Sequence, residues 1–242
     1  MIERHAFIEN KQGLMVPLGQ IPGGIRDAFN IRGHVRIDLF DPRGKLKDRR
    51  EFENLVVNSG KSTIASRLKG VATAAPTHMA VGTDGSAAAA AQAALIAEVG
   101  SSRTALASTT VRNNEAIYVC TFPAGVGTGA LVEAGLFNGT AAAAAGLAYT
   151  RSTNTVTVTK TTHGLAVDRA IGIAAATDTG LNGGATIQTV PTADTFTFYT
   201  TAVGANGTLT LYQDVMTNRS TFSVVNKGAA DSMTITWTLT IS

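Results

Sequence analysis

The sequence is short of several things at once. Cys120 is the single cysteine among 242 residues, which excludes an internal disulfide framework and a cysteine-based zinc site. Charged residues make up only 15%, against about 25% in an ordinary globular chain. There is one tryptophan, and there are six prolines. No run approaches the ~18 apolar residues of a membrane span. Met1-Ile2-Glu3-Arg4-His5 opens no apolar signal core, so the expectation is a soluble chain made in the cytoplasm.

What is present allows a real core. Apolar residues reach 44% of a length of 242, which at about 150 residues per domain means one large or two small domains. With so little charge, the surface must be built from Thr, Ser, Asn, Gly and Ala, a composition suited to short strands and neutral packing faces. The net charge of +3 is unevenly placed: residues 1–70 carry 13 Lys and Arg against 8 Asp and Glu, whereas residues 71–242 carry 7 against 9. Both signs are mixed in the basic front half, which suits an acidic protein surface at least as well as nucleic acid.

Residues 1–32 look unlike a folded module. Phe7, Ile8, Leu14, Val16, Ile21, Ile25 and Phe29 follow no sustained period, and Gly13, Pro17, Gly19, Pro22, Gly23 and Gly24 break them up. The segment is nevertheless too apolar for a solvated tail. It reads as an extended N-terminal arm whose seven apolar residues bind a partner chain, or alternatively fold back on their own domain. Fully extended, 32 residues span up to roughly 105 Å at ~3.3 Å each.

Beyond Gly33 the pattern is regular. Val35, Ile37 and Leu39 alternate with polar neighbours, Asp41-Pro42-Arg43-Gly44 has type I turn chemistry, and a second strand returns to Val57. Asn58 or Ser59 can cap a helix over 61–69 with an apolar stripe of Ile64, Ala65 and Leu68, closed by Gly70. Residues 78–81 read as a buried strand and the alanine-rich stretch 87–97 as a short helix. Residues 105–112 and 115–122 form a hairpin across Asn113-Asn114, and 131–137 is a further strand. At the end, Met233, Ile235, Trp237, Leu239 and Ile241 alternate with Thr and Ser, and 221–225 is expected to pair with them across Asn226-Lys227-Gly228.

Residues 147–213 differ in texture: 18 of 67 are Thr. Short strands are expected around 156–158, 171–173, 187–190, 196–199 and 209–212. The predicted organisation is an arm (1–32), a discontinuous antiparallel β-sandwich body (33–140 and 214–242) with one or two short helices, and an inserted small β-domain (147–213) that folds by itself.

No motif amounts to an active site, so the expectation is a protein that is not an enzyme and needs no metal or cofactor. Asn58-Ser59-Gly60-Lys61-Ser62-Thr63 invites a phosphate-loop reading, but Leu55 stands where that loop needs Gly. His5, His34, His78 and His163 never pair at i,i+4. No Gly-x-Ser-x-Gly elbow occurs. Asp168, Asp178, Asp194, Glu115 and Glu133 stand alone, and Glu133, half-buried by pattern, calls for an Arg partner. Cys120 reads as core. The basic stretch 43–50 lacks the aromatic platforms of single-strand binders.

Several segments taken in order resemble a family of tailed-bacteriophage structural proteins. They are Asn54-Leu55-Val56-Val57-Asn58, Thr77-His78-Met79-Ala80-Val81-Gly82-Thr83, Ala94-Leu95-Ile96-Ala97-Glu98-Val99 with Arg103, residues 116–122, Val132-Glu133-Ala134-Gly135-Leu136-Phe137-Asn138 and residues 222–237. Their order is similar to the attachment domain at the base of phage tail fibres, although no repetitive shaft follows. Residues 154–190 resemble the small β-domain called FCCH-like, known from ubiquitin-activating enzymes and phage proteins. The resemblance implies a virion protein, a homo-oligomer with a trimer favoured, attached to other virion proteins of tail, neck or capsid and not to a membrane. A tail, neck or baseplate adaptor or fibre anchor, a capsid decoration protein, and a glycan-binding module stacking sugars on Phe196, Tyr199 and Tyr212 all stay open.

Overall fold

The computed structural model describes residues 7–9, 15–17 and 30–242 except 72 and 141, with side chains from residue 30 onward. The chain divides into two units, Met1–Asn30 with Ser242, and Ile31–Ile241. In the first, β1 (Phe7–Glu9) pairs antiparallel with β2 (Met15–Pro17), Ile8 opposite Val16. The segment therefore doubles back locally, and its reach is shorter than that of a fully extended arm. Leu14, Ile21, Ile25 and Phe29 lie outside the described residues, as do the side chains of Phe7, Ile8 and Val16.

The second unit is mainly β. It begins with β3 (Ile31–Phe40), β4 (Leu46–Val56), α1 (Asn58–Leu68), β5 (His78–Gly82) and β6 (Thr104–Ala105). β7 (Ser108–Arg112), β8 (Glu115–Phe122) and β9 (Gly129–Phe137) follow. Next come β10 (Ala144–Ser152), β11 (Thr155–Thr159), β12 (Ala170–Ala174), β13 (Gly183–Thr192), β14 (Thr195–Tyr199) and β15 (Gly207–Tyr212). The chain closes with β16 (Met216–Lys227) and β17 (Ser232–Ile241).

Nine strands form one curled sheet in the order β6-β5-β9-β16-β4-β3-β17-β8-β7. β4 makes the corner. It pairs with β3 along most of its length, but with β16 only at Leu55 and Val56. The two halves thus fold over one another as a sandwich. Val35, Ile37, Cys120, Phe122, Ile235 and Trp237 from one half meet Met79, Val81, Leu131 and Leu136 from the other. Each fully buried side chain of this size contributes about 1.5–3 kcal/mol. In the β3–β4 turn the Gly44 N–H donates to the Asp41 carbonyl at 2.9 Å, and Gly44 takes φ +78°.

Three local expectations give way to tertiary structure. Strands β16 and β17 do not pair; β17 lies between β3 and β8, and β16 between β9 and β4. Residues 228–231 arch from one half of the sandwich to the other, because Val225 and Met233 both face the core between them. The stretch 87–97 is not helical. It crosses the molecule as an irregular strap whose backbone groups find outside partners: the Asn58 N–H donates to the Ala90 carbonyl, and the Ile96 and Ala97 N–H groups to Glu133. Helix α1 buries Ser59, Gly60, Thr63 and Ser66, not the apolar stripe, and Leu68 is exposed. Its N-cap is Val57, with no side-chain cap.

Strands β10 to β15 close into a barrel in the order β10-β11-β14-β13-β12-β15, with β15 returning to β10. Val156, Val158, Ile171, Ile173, Phe196, Phe198, Leu209 and Leu211 seal its interior. The barrel rests on α1 through β12 and β13. A Cβ on Gly184 would lie 2.3 Å from the Ser59 nitrogen and 2.4 Å from the Asn58 carbonyl carbon, so only glycine permits this approach. Ser66 Oγ donates to the Asp168 carbonyl, and Lys69 pairs with the Asp168 carboxylate at 2.6 Å.

Candidate partner-binding site

The charged residues that stood alone in sequence have structural partners. Glu133, wholly buried, lies 3.0 Å from Nε and 2.9 Å from Nη2 of wholly buried Arg219. The strap completes this pair: Ala97 N–H donates to Glu133 Oε1 at 2.8 Å, and Arg219 Nη1 donates to Gln92 Oε1 at 2.9 Å and to the Ser86 carbonyl at 3.0 Å. Asp178 pairs with Arg151, Glu115 with Arg112, and Asp194 accepts from the Thr162 N–H. His163 packs against Phe196 inside the barrel. Its Nδ1 accepts from the Leu165 N–H, which leaves Nε2 facing the Thr192 and Thr195 carbonyls.

In the basic stretch, Lys47 pairs with Asp231 and Arg49 with Asp38. The barrel covers the N-terminus of α1, so the phosphate-loop-like residues open onto protein. Among the described residues no three His, Cys, Asp or Glu side chains group as metal ligands. No helix among them is long and apolar enough to cross a membrane. Cys120 is fully buried, and desolvation pushes its thiol up to about 12. Phe196 is sealed in the barrel core and so cannot stack on a sugar, while Tyr199 is exposed on a different strand from half-buried Tyr212.

One cleft is built differently. At the β7 end of the sandwich a cavity of about 230 Å³ opens between α1 and the β7–β8 hairpin. Its apolar wall is Val56, Ile64, Val111, Ala116 and Leu239, with Tyr118 and Arg67 at the polar side. Burial pushes the Tyr118 phenol up, and the nearby Arg67 partly opposes that. Asn218 also lines the cleft; it is fully buried, and neither its amide oxygen nor its amide nitrogen has a hydrogen-bond partner. Leaving such a group unsatisfied costs about 1–3 kcal/mol.

The strand beside this cleft is uncovered. β7 is the last strand of the sheet, and all five of its residues are exposed. Val111 has the inward parity of its neighbour Ala116, yet remains 76% exposed. An edge strand with free backbone groups is a template for another strand. Sequence reading finds the hairpin but not this site, because exposure of an inward-facing residue and the isolation of Asn218 depend on what the rest of the fold leaves uncovered.

No family model matches the chain, and no curated protein does. Among solved structures, a match is found to the phage phi92 endosialidase, with a TM-score of 0.26 and 22% identity. It covers 47% of this chain and 18% of that chain.

Proposed function

We propose that the protein is a structural, non-enzymatic component of a tailed-phage particle, an adaptor or anchor of the tail, neck or baseplate. It attaches by strand pairing and buried apolar surface at the β7 edge and through the segment ahead of Ile31. The observation that carries this reading is a fully exposed edge strand, with Val111 76% exposed, beside an apolar cleft. An exposed sheet edge beside an apolar cleft is completed by a strand of another chain. The resemblance of the body segments to phage attachment proteins supplies the particle. The closed barrel serves as a decoration.

The test is to locate and count the protein in purified particles by electron microscopy and quantitative mass spectrometry. Tens of copies at the tail, neck or baseplate are expected, and complete absence from particles overturns the reading. Hundreds of copies on the head would replace the adaptor by a capsid decoration protein.

A further inference from the structure

The first unit holds a deficiency complementary to that of the second. A sheet of two strands alone is at best marginally stable in water and gains from a third strand or an apolar surface. The β1–β2 ladder is such a sheet. The β7 edge offers a free row of backbone groups, and the cleft beneath it offers apolar walls. We infer that the β1–β2 segment of a second copy of this chain occupies the β7 edge, adding a strand to the sheet and filling the Asn218 cleft. This rests on the attachment reading of the same edge and names its partner.

Geometry allows the exchange. The chain enters the sheet at Ile31, opposite Ile241, and Ile241 N–H donates to the Asn114 carbonyl in the β7–β8 turn. Entry is therefore at the end of the sheet where β7 finishes and the cleft opens. β3, β17, β8 and β7 are successive strands, about 14 Å across at ~4.8 Å per step. Residues 18–30 can span roughly 45 Å at ~3.4 Å each. That tether is long enough to carry the ladder past its own sheet to an adjacent molecule. Each copy then gives one ladder and receives one, a head-to-tail contact that closes into a ring when the rotation permits.

Apolar groups of the incoming segment would cover exposed Val111 and the apolar walls beside it. A small, mostly apolar cleft of this kind takes an aliphatic side chain. It is too small for a typical organic ligand, whose pockets run about 300–1,000 Å³.

Mixing two single variants of the full chain tests the inference. Chains with Ile8→Cys and chains with Val111→Cys, bearing different tags, are co-expressed and treated with a short bis-maleimide. Native Cys120 stays silent, being buried with its thiol pushed up to about 12. A linked species bearing both tags is expected, since that bond can form only between chains. The double variant linking only within one chain would place the ladder on its own body and overturn the inference, as would no link in either experiment.

Trp237 fluorescence verifies that each variant is folded. Absence of links in a protein that still enters particles sinks only this inference; links between copies absent from particles sink the attachment reading and leave the pairing standing.

Discussion

The barrel and the sandwich are both antiparallel β-structures of one chain, and they solve the edge problem in opposite ways. Closure leaves the barrel with no free strand, and its core side chains are sealed. Among its few charges, Arg151 pairs with Asp178. The sandwich ends in exposed β7, and it buries Glu133, Arg219, Asn218 and Lys227. A closed unit leaves no strand edge unpaired, and the His163 it buries finds its partners within the barrel. An open one with polar groups inside depends on particular partners within the chain, as Glu133 does on Arg219 and the strap. Intrinsic probes separate the two: the lone Trp237 and Tyr118 sit in the sandwich, while Tyr149, Tyr199 and Tyr212 belong to the barrel.

The largest contrast should come from the Glu133–Arg219 pair. Arg219→Met leaves a buried carboxylate facing an apolar side chain, which typically costs about 3–5 kcal/mol. We expect the unfolding free energy obtained from urea titration at Trp237 to fall by that amount, and Glu133→Gln in the same chain to recover part of it. A midpoint unmoved by Arg219→Met would mean that the strap N–H groups alone satisfy Glu133. Next in size is the seam between the two regions. Gly184→Val would drive a side chain into the backbone of Asn58 and Ser59, an overpacking cost of about 1–3 kcal/mol. Tyrosine and Trp237 signals that unfold together in the parent should separate in this variant. If they separate already in the parent, the barrel folds independently, and removing residues 147–213 should leave the sandwich intact.

Sequence pattern made the two regions legible to different degrees, for a physical reason. Period-two alternation in 35–39, 156–158 and 233–241 is a local property, and those strands are where alternation puts them. The strand β10 was hidden because its first residues, Ala144-Ala145-Gly146, are small and carry no alternation. The strap 87–97 has the alanine content of a helix, but Glu133 and Asn58 bind its backbone from a distance in sequence that propensity cannot weigh. Likewise the arch at 228–231 and a hairpin share one local sequence; only the opposed half of the core distinguishes them. Glu133 could be assigned an Arg from its apolar surroundings, but not which one. Asn218 sits in Thr217-Asn218-Arg219-Ser220, a run with every mark of surface, and nothing local announces its burial.

A smaller effect, specific to the sandwich, comes from Cys120. Its folded thiol is pushed up to about 12 from an ordinary 9.0 by burial. Between those two values the unfolded chain loses the thiol proton and the folded chain keeps it, so stability falls as pH rises. The slope is at most about 1.4 kcal/mol per pH unit. Urea midpoints followed at Trp237 from pH 8 to 10.5 should decline with this contribution, and Cys120→Ala should flatten that part of the decline. An identical slope in Cys120→Ala would assign the alkaline loss to the tyrosines instead.

The smallest expected change lies on the open edge itself. Arg112 and Glu115 pair at 2.6 Å across the turn of the β7–β8 hairpin, with the arginine side chain 69% exposed. Solvent screening limits such a pair to about 0–1 kcal/mol. Arg112→Ala should therefore leave the unfolding free energy read at Trp237 within about 0.5 kcal/mol of the parent, whereas any barrel core truncation such as Phe198→Ala costs about 3–5 kcal/mol. A loss of more than 2 kcal/mol from Arg112→Ala would show that the hairpin is held from outside even in the purified protein. The edge would then already be occupied, and the contrast between a self-sufficient barrel and an unfinished sandwich would apply to the isolated chain alone.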